Sequence, residues 1–255
     1  GAGGQVWQVV TGAWSIVGWI TMPTFANVAG MALATGLLDG QNSTVTGGEN
    51  TEREYFTYDA TSTAPVDGAL VVTATGMGAG RLISTRTVYA SWGEMNTDVR
   101  TPPAGTALTV RGVGGFTAAT SGQDLTLSGG LKVTVDANSS GERIVEQFGE
   151  VGTPDDYATV QRAIDSGHNI VFSRPSGYKI ATKLTFDQDV TYTFRNGSSL
   201  IYKGDKTSRL ADVNGRAVFI DPVFDGDDRQ CSLSLVYWSA GSGPTYFNGK
   251  TRNLT

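Results

Sequence analysis

The side chains best placed by type and spacing to do chemistry are carboxylates. Asp221, Asp225, Asp227 and Asp228 crowd into one short segment, and Asp187 and Asp189 flank an earlier turn. Acids this close could form a catalytic pair or hold a calcium ion. The competing reading is structural, because Asp caps turns and tolerates their backbone angles. The stretch Asp225-Gly226-Asp227-Asp228 also lacks the bidentate Glu and the ligand spacing of a calcium loop. His168, the single histidine, has no Ser, Cys or metal partner in a motif around it, so a role at the end of the preceding helix is expected. Cys231, the single thiol, precedes the apolar alternation Leu233, Leu235, Tyr237 and reads as a buried structural cysteine. One thiol and one imidazole fall short of a zinc or haem ligand set. The run from Gly76 to Gly80 invites a nucleotide-binding reading, but a phosphate loop must open a helix, and residues 81–89 alternate as a strand. A structural turn is expected there. No catalytic, cofactor-binding or metal-binding residue is nominated, and no cofactor is implied.

The elements that would carry these residues are mostly strands. With 34 glycines and only 17% charged residues, the composition leans towards short strands and tight turns. A net charge of −5 with no cluster of Lys or Arg argues against nucleic acid as a partner. No charged side chain precedes Asp39, and the opening run holds Trp7, Trp14, Ile16, Trp19 and Ile20. A membrane span is one reading of that run. Gln8, Thr11, Ser15 and Gly18 interrupt it and Pro23 follows, so strands over residues 6–10 and 14–20, buried between subunits or against a partner, fit better. Phe25, Val28, Ala29, Ala32 and Leu33 have helical spacing and predict a short helix. Residues 39–53 are polar and turn-rich, which places a boundary there. Alternation then predicts strands over 55–58, 69–74, 82–89 and 107–113, and through Leu125, Leu127, Leu131, Val133 and Val135, with Gly114-Gly115 as a flexible corner. Such a series fits a sandwich or small barrel. Opening on Gly1 without a basic leader and ending at Thr255 without a cap, the chain is expected to be part of a longer protein.

Residues 144–180 carry the most specific pattern. The run Ile144-Val145-Glu146-Gln147-Phe148-Gly149 is followed by Thr153-Pro154-Asp155-Asp156-Tyr157 and an amphipathic stretch to Gly167, then Ile170-Val171-Phe172 and Pro175-Ser176-Gly177-Tyr178. Asp155 or Asp156 can accept hydrogen bonds from the free amides of the first helical turn. Tyr157, Val160, Ala163 and Ile164 share a face, as a helix lying over an open sheet edge requires. Short apolar runs then recur with Gly or Asn between many of them, as in a solenoid whose coils bury their apolar faces by stacking. This pattern resembles the opening of the pectate-lyase-like right-handed parallel β-helix of bacteriophage tailspikes and tail fibres. The resemblance covers residues 144–255.

That resemblance implies a mainly β homotrimer. Its parts would be an apolar anchoring segment (1–47), a sandwich-like virion-attachment domain (48–143), and a neck, capping helix and first β-helix coils (144–255). It implies a structural virion protein that docks on a tail, baseplate or portal-adaptor protein and mediates attachment to a host surface polysaccharide, with no membrane span. The alternative is a capsule or O-antigen depolymerase, hydrolase or lyase, with its groove within or beyond residues 180–255. Sugar-bond cleavage of that kind normally uses two acids about 5–10 Å apart. The leaning is against an enzyme in this piece of chain. A bacterial surface adhesin is a third reading.

Overall fold

The computed structural model describes residues 4–10, 13–20, 22–46, 53–205, 208–226, 236–239, 245–247 and 249–252. The protein is mainly β, built of several sheets with few helices. No helix of the described residues is long and apolar enough to cross a membrane. Two compact units form: Gly1–Thr87 with Asn96–Pro102 and Leu127–Leu131, and Val88–Met95 with Pro103–Thr126 and Lys132–Thr255. Compactness thus divides the chain inside residues 48–143, whereas the segments 1–47, 48–143 and 144–255 are divisions of composition and motif.

In the first unit, Gly4–Val10 and Ala13–Ile20 pair as an antiparallel hairpin with a register shift at Val6/Trp7. A five-stranded sheet follows, in the order Thr24–Phe25, Asn42–Val45, Glu54–Asp59, Arg81–Ser84, Val71–Thr73. Its core is Met31, Val45, Phe56, Tyr58, Val72 and Leu82. The short helix is present as Val28–Ala32, capped by the Asn27 side chain on Gly30 N at 2.7 Å. Its buried residue is Met31, however, and Leu33 is 69% exposed. Of the expected apolar face, Phe25, Val28 and Ala32 pack partly buried against that core, whereas Ala29 is exposed, and so is Leu33 because the helix ends after one turn.

The strand expected over 82–89 stops at Ser84. Buried Arg100, held by Asp98 through a 2.7 Å bond, donates to the carbonyls of Ser84 (2.7 Å) and Arg86 (2.8 Å), which a continuing ladder would have used. Before this strand, Thr75–Met77 is a single 3₁₀ turn, so Gly76 to Gly80 opens no helix. A Cβ on Gly76 would stand 2.3 Å from the carbonyl oxygens of Leu33 and Ala34, so close backbone packing is what demands glycine there.

In the second unit, Val88–Tyr89, Ala107–Val110, Gly114–Ala118, Lys132–Val135 and Leu125–Thr126 form a sheet in that order. Gly114 and Gly115 are not a flexible corner but the start of a strand. Their bare backbone admits the Gln147 side chain, which donates to the carbonyls of Gly115 (3.1 Å) and Asp136 (3.0 Å) and accepts from Ile144 N (2.9 Å).

From Arg143 onward every strand pairing among the described residues is parallel. The first parallel sheet orders Arg143–Ile144, Ile170–Phe172, Thr191–Phe194, Val218–Ile220 and Thr245–Phe247; the second, Tyr178–Ile180, Leu200–Tyr202, Val223–Asp225 and Lys250–Arg252; the third, Leu184–Phe186, Ala211–Val213 and Val236–Trp238. The chain visits the three in rotation. Circuits are unequal in length, since Ile170 pairs with Tyr192 but Tyr192 with Phe219. Register stacks like on like: Phe172 lies on Phe194 with centroids 4.4 Å apart, Tyr192 on Phe219 at 5.3 Å, and Phe186 meets Tyr192 edge-on at 4.9 Å. These rings are 4% exposed or less. Three-residue strands are too short to stand alone, so this stacked core is what fixes them.

Candidate functional site

The helix Tyr157–Asp165 does structural work at the head of the parallel sheets. It buries Thr159, Val160, Ala163 and Ile164; Tyr157, expected on that face, is only half-buried. Gln161 donates its side-chain amide to Thr185 O and accepts from Thr185 N, each at 2.9 Å. It thereby completes the leading edge of the third sheet as a neighbouring strand would. Asp156, 2% exposed, accepts from Gly152 N (2.7 Å), Thr153 N (3.2 Å) and Lys179 N (3.0 Å), and its own amide donates to Lys179 O at 2.7 Å. Asp155 accepts from Tyr157 N and Ala181 N, both at 3.0 Å. Only Asp155 meets a helix amide, and Asp156 makes no side-chain bond to the helix; together the two acids close the leading edge of the second sheet. Arg143–Ile144 closes the first by ordinary pairing. Each exposed row of donors and acceptors that would otherwise recruit another chain is occupied.

The groove that could hold a ligand lies where the first parallel sheet hands over to the second. A cavity of about 820 Å³ is lined by Phe194, Arg195, Asn196, Gly197, Ser198, Asp221, Val223, Gly249 and Lys250. Its corners are tight. Ser198 N donates to Arg195 O at 2.9 Å across Asn196 (φ 56°) and Gly197 (φ 73°), both left-handed as in a type I′ turn. Asp221 repeats the left-handed angle one circuit on (φ 50°) although Pro222 follows and favours extended backbone. Such angles are tolerated best by Asn, Asp and Gly, which is why those residue types recur at the corners. Buried Phe194 and Val223 lie at the base, while Asn196 and Lys250 are exposed. Arg195 is tied to both oxygens of Glu142 at 2.9 and 2.7 Å. The lining mixes amide, hydroxyl, carboxylate and ammonium groups over apolar carbon, which suits a hydroxyl-rich ligand.

Asp187, Asp189 and Asp225 are not among the lining residues of this groove. Asp221 is the one carboxylate among the described lining residues, and glycoside cleavage normally uses two acids. Asp187 accepts from Asn214 Nδ2 at 2.7 Å, and Asp189 from Arg216 N at 2.6 Å, both as turn residues. Asp225 ends the strand Val223–Asp225. Asp227, Asp228 and Cys231 lie outside the described residues. Among the described residues no group of three or more His, Cys, Asp or Glu could hold a metal ion. His168 points Nε2 at Asp124 Oδ1, 2.8 Å away, while the end of the helix is served by Ser166, whose hydroxyl donates to Ala163 O at 2.6 Å.

Two tyrosines inside the parallel region are strongly perturbed. Burial, reinforced by Glu146 at 2.7 Å, pushes the Tyr178 hydroxyl far above the ordinary phenol range. Burial and the charges of Asp165 and Asp187 do the same to Tyr192. Both hydroxyls are held in the neutral form at physiological pH. Compared with known proteins, the chain matches no family model and no curated protein.

Proposed function

We propose that this chain is the particle-anchoring, N-terminal part of a bacteriophage tailspike or tail fibre, a homotrimer whose parallel sheets are the first coils of a right-handed parallel β-helix. The β-structured first half docks on a tail, baseplate or portal-adaptor protein, and the coils project towards the host surface polysaccharide. The observation that carries this reading is the order of parts: mainly antiparallel β structure first, then parallel sheets visited in rotation and headed by a capping helix. The uncharged segment before Asp39 supplies the apolar surface that docking and trimerisation bury. The test mixes the purified chain with phage particles stripped of their spikes and sediments them. Co-sedimentation is expected, and is lost when residues 1–22 are removed; a chain that stays in the supernatant overturns the reading.

The depolymerase reading is favoured by the groove, which is open, polar and holds Asp221. Incubation with capsular or O-antigen polysaccharide decides it: shortened chains support an enzyme, whereas retention on immobilised polysaccharide without shortening supports an adhesin.

A further inference from the structure

The groove corner also holds a site of covalent ageing. Three Asn-Gly pairs lie in the parallel region, Asn196-Gly197, Asn214-Gly215 and Asn248-Gly249, and Asn248 lies outside the described residues. In an Asn-Gly pair the backbone nitrogen of the glycine, once deprotonated, can attack Cγ of the asparagine. A C–N bond forms, the Cγ–Nδ2 bond breaks and ammonia leaves. Water then opens the resulting succinimide at either carbonyl, giving aspartate or isoaspartate. The reaction needs a glycine nitrogen free of a hydrogen bond, an asparagine amide free to turn, and room for the backbone to pass through the ring.

The pairs at Asn196 and Asn214 differ in all three respects. Asn196 and Gly197 are exposed, and a Cβ on Gly197 would meet nothing within 4 Å. The Ser198 N to Arg195 O bond spans the turn without engaging Gly197 N, and among the described residues no bond from that nitrogen is found. The Asn196 amide reaches only Ser173 O, at 3.5 Å, the outer limit of a hydrogen bond. At the other pair, Gly215 is buried and its nitrogen donates to Phe186 O at 3.0 Å. A Cβ there would stand 2.8 Å from the backbone of Asp187, so the chain is clasped. The Asn214 amide is held by the Asp187 carboxylate at 2.7 Å, whose charge also disfavours an amide anion beside it.

We infer that Asn196 is a site of spontaneous deamidation, and that Asn214, which carries the same Asn-Gly dipeptide, is protected by the fold. The product adds a second carboxylate to the groove lining beside Asp221. Its isoaspartate form also lengthens the main chain at a corner that stacks on its neighbours. This goes beyond the proposed function and stands whether or not the groove binds sugar.

The test stores the full chain in warm, mildly alkaline buffer and follows both sites by tryptic peptide mapping. Asn196 falls in residues 196–203, or 184–203 when cleavage at Arg195 is slowed, and Asn214 in residues 210–216. Opening the charge-assisted bond at Asn214 costs at least about one decade, so Asn196 is expected to convert about tenfold faster or more. In denaturant the two rates should converge. Equal rates in the folded chain, faster conversion at Asn214, or a native ratio that persists unchanged in denaturant would each overturn the inference.

Discussion

Replacing Asp156 by Ala tests how the parallel sheets are closed at their head. The carboxylate receives three backbone amides, those of Gly152, Thr153 and Lys179, at 2.7 to 3.2 Å, in a residue that is 2% exposed. A hydrogen bond to a charged group contributes about 1.5–3 kcal/mol. The three do not add, because exposed Gly152 and half-buried Thr153 regain water once the side chain is cut. The Lys179 amide loses its acceptor outright, so a net loss of about 3 kcal/mol is expected. At about 2–4 °C per kcal/mol for a chain of this size, the melting temperature should fall by about 6–12 °C. Asp155→Ala is the internal control. It removes two bonds from an exposed residue and should lower the melting temperature by a third as much or less. Calorimetry reads both, and amide exchange should show Lys179 deprotected in the Asp156 variant alone. If Asp156→Ala melts with the parent, or if Asp155→Ala is the more damaging, the carboxylate does not close the sheet edge as described.

Gln161→Ala removes both partners of Thr185; a loss of about 1–2 kcal/mol and faster exchange at the Thr185 amide are expected. Gly76→Ala puts a methyl against the Leu33 and Ala34 carbonyls and should destabilise the first unit, seen as a lowered denaturation midpoint, with the second unit's transition unmoved. For Tyr178 and Tyr192 the folded pKa values lie above the unfolded value of 10.0, so the unfolded chain loses these protons first as pH rises. Their contribution is complete below about pH 10 and declines above it, by about 1.4 kcal/mol per pH unit for each group. Alkaline spectrophotometric titration of the folded chain should leave Tyr178 and Tyr192 among the tyrosines still un-ionised after the exposed ones have titrated.

The capping helix and most short strands could be read directly, because apolar spacing and turn residues are local signals. Tyr157–Asp165 and the runs from Ile170 to Phe224 are examples. What escaped was long-range pairing by polar side chains. Nothing in the sequence distinguishes Gln161 from any exposed helical glutamine, yet it completes a strand more than twenty residues on. Asp155 and Asp156 carried a capping signal that was right about backbone amides but missed the second sheet. Arg100 interrupts a strand from outside it, and Gly114-Gly115 looked like a corner because glycine marks both turns and close approaches. The groove was invisible for a related reason: its lining comes from three successive circuits, and their unequal lengths hide that Asn196, Asp221 and Gly249 come to one cavity.

Assembly is the measurement on which the proposed role turns. Sedimentation equilibrium of the purified chain should return three times the 26.8 kDa of one copy, unchanged on dilution. A single monomeric species across the same concentrations would contradict a tailspike anchor.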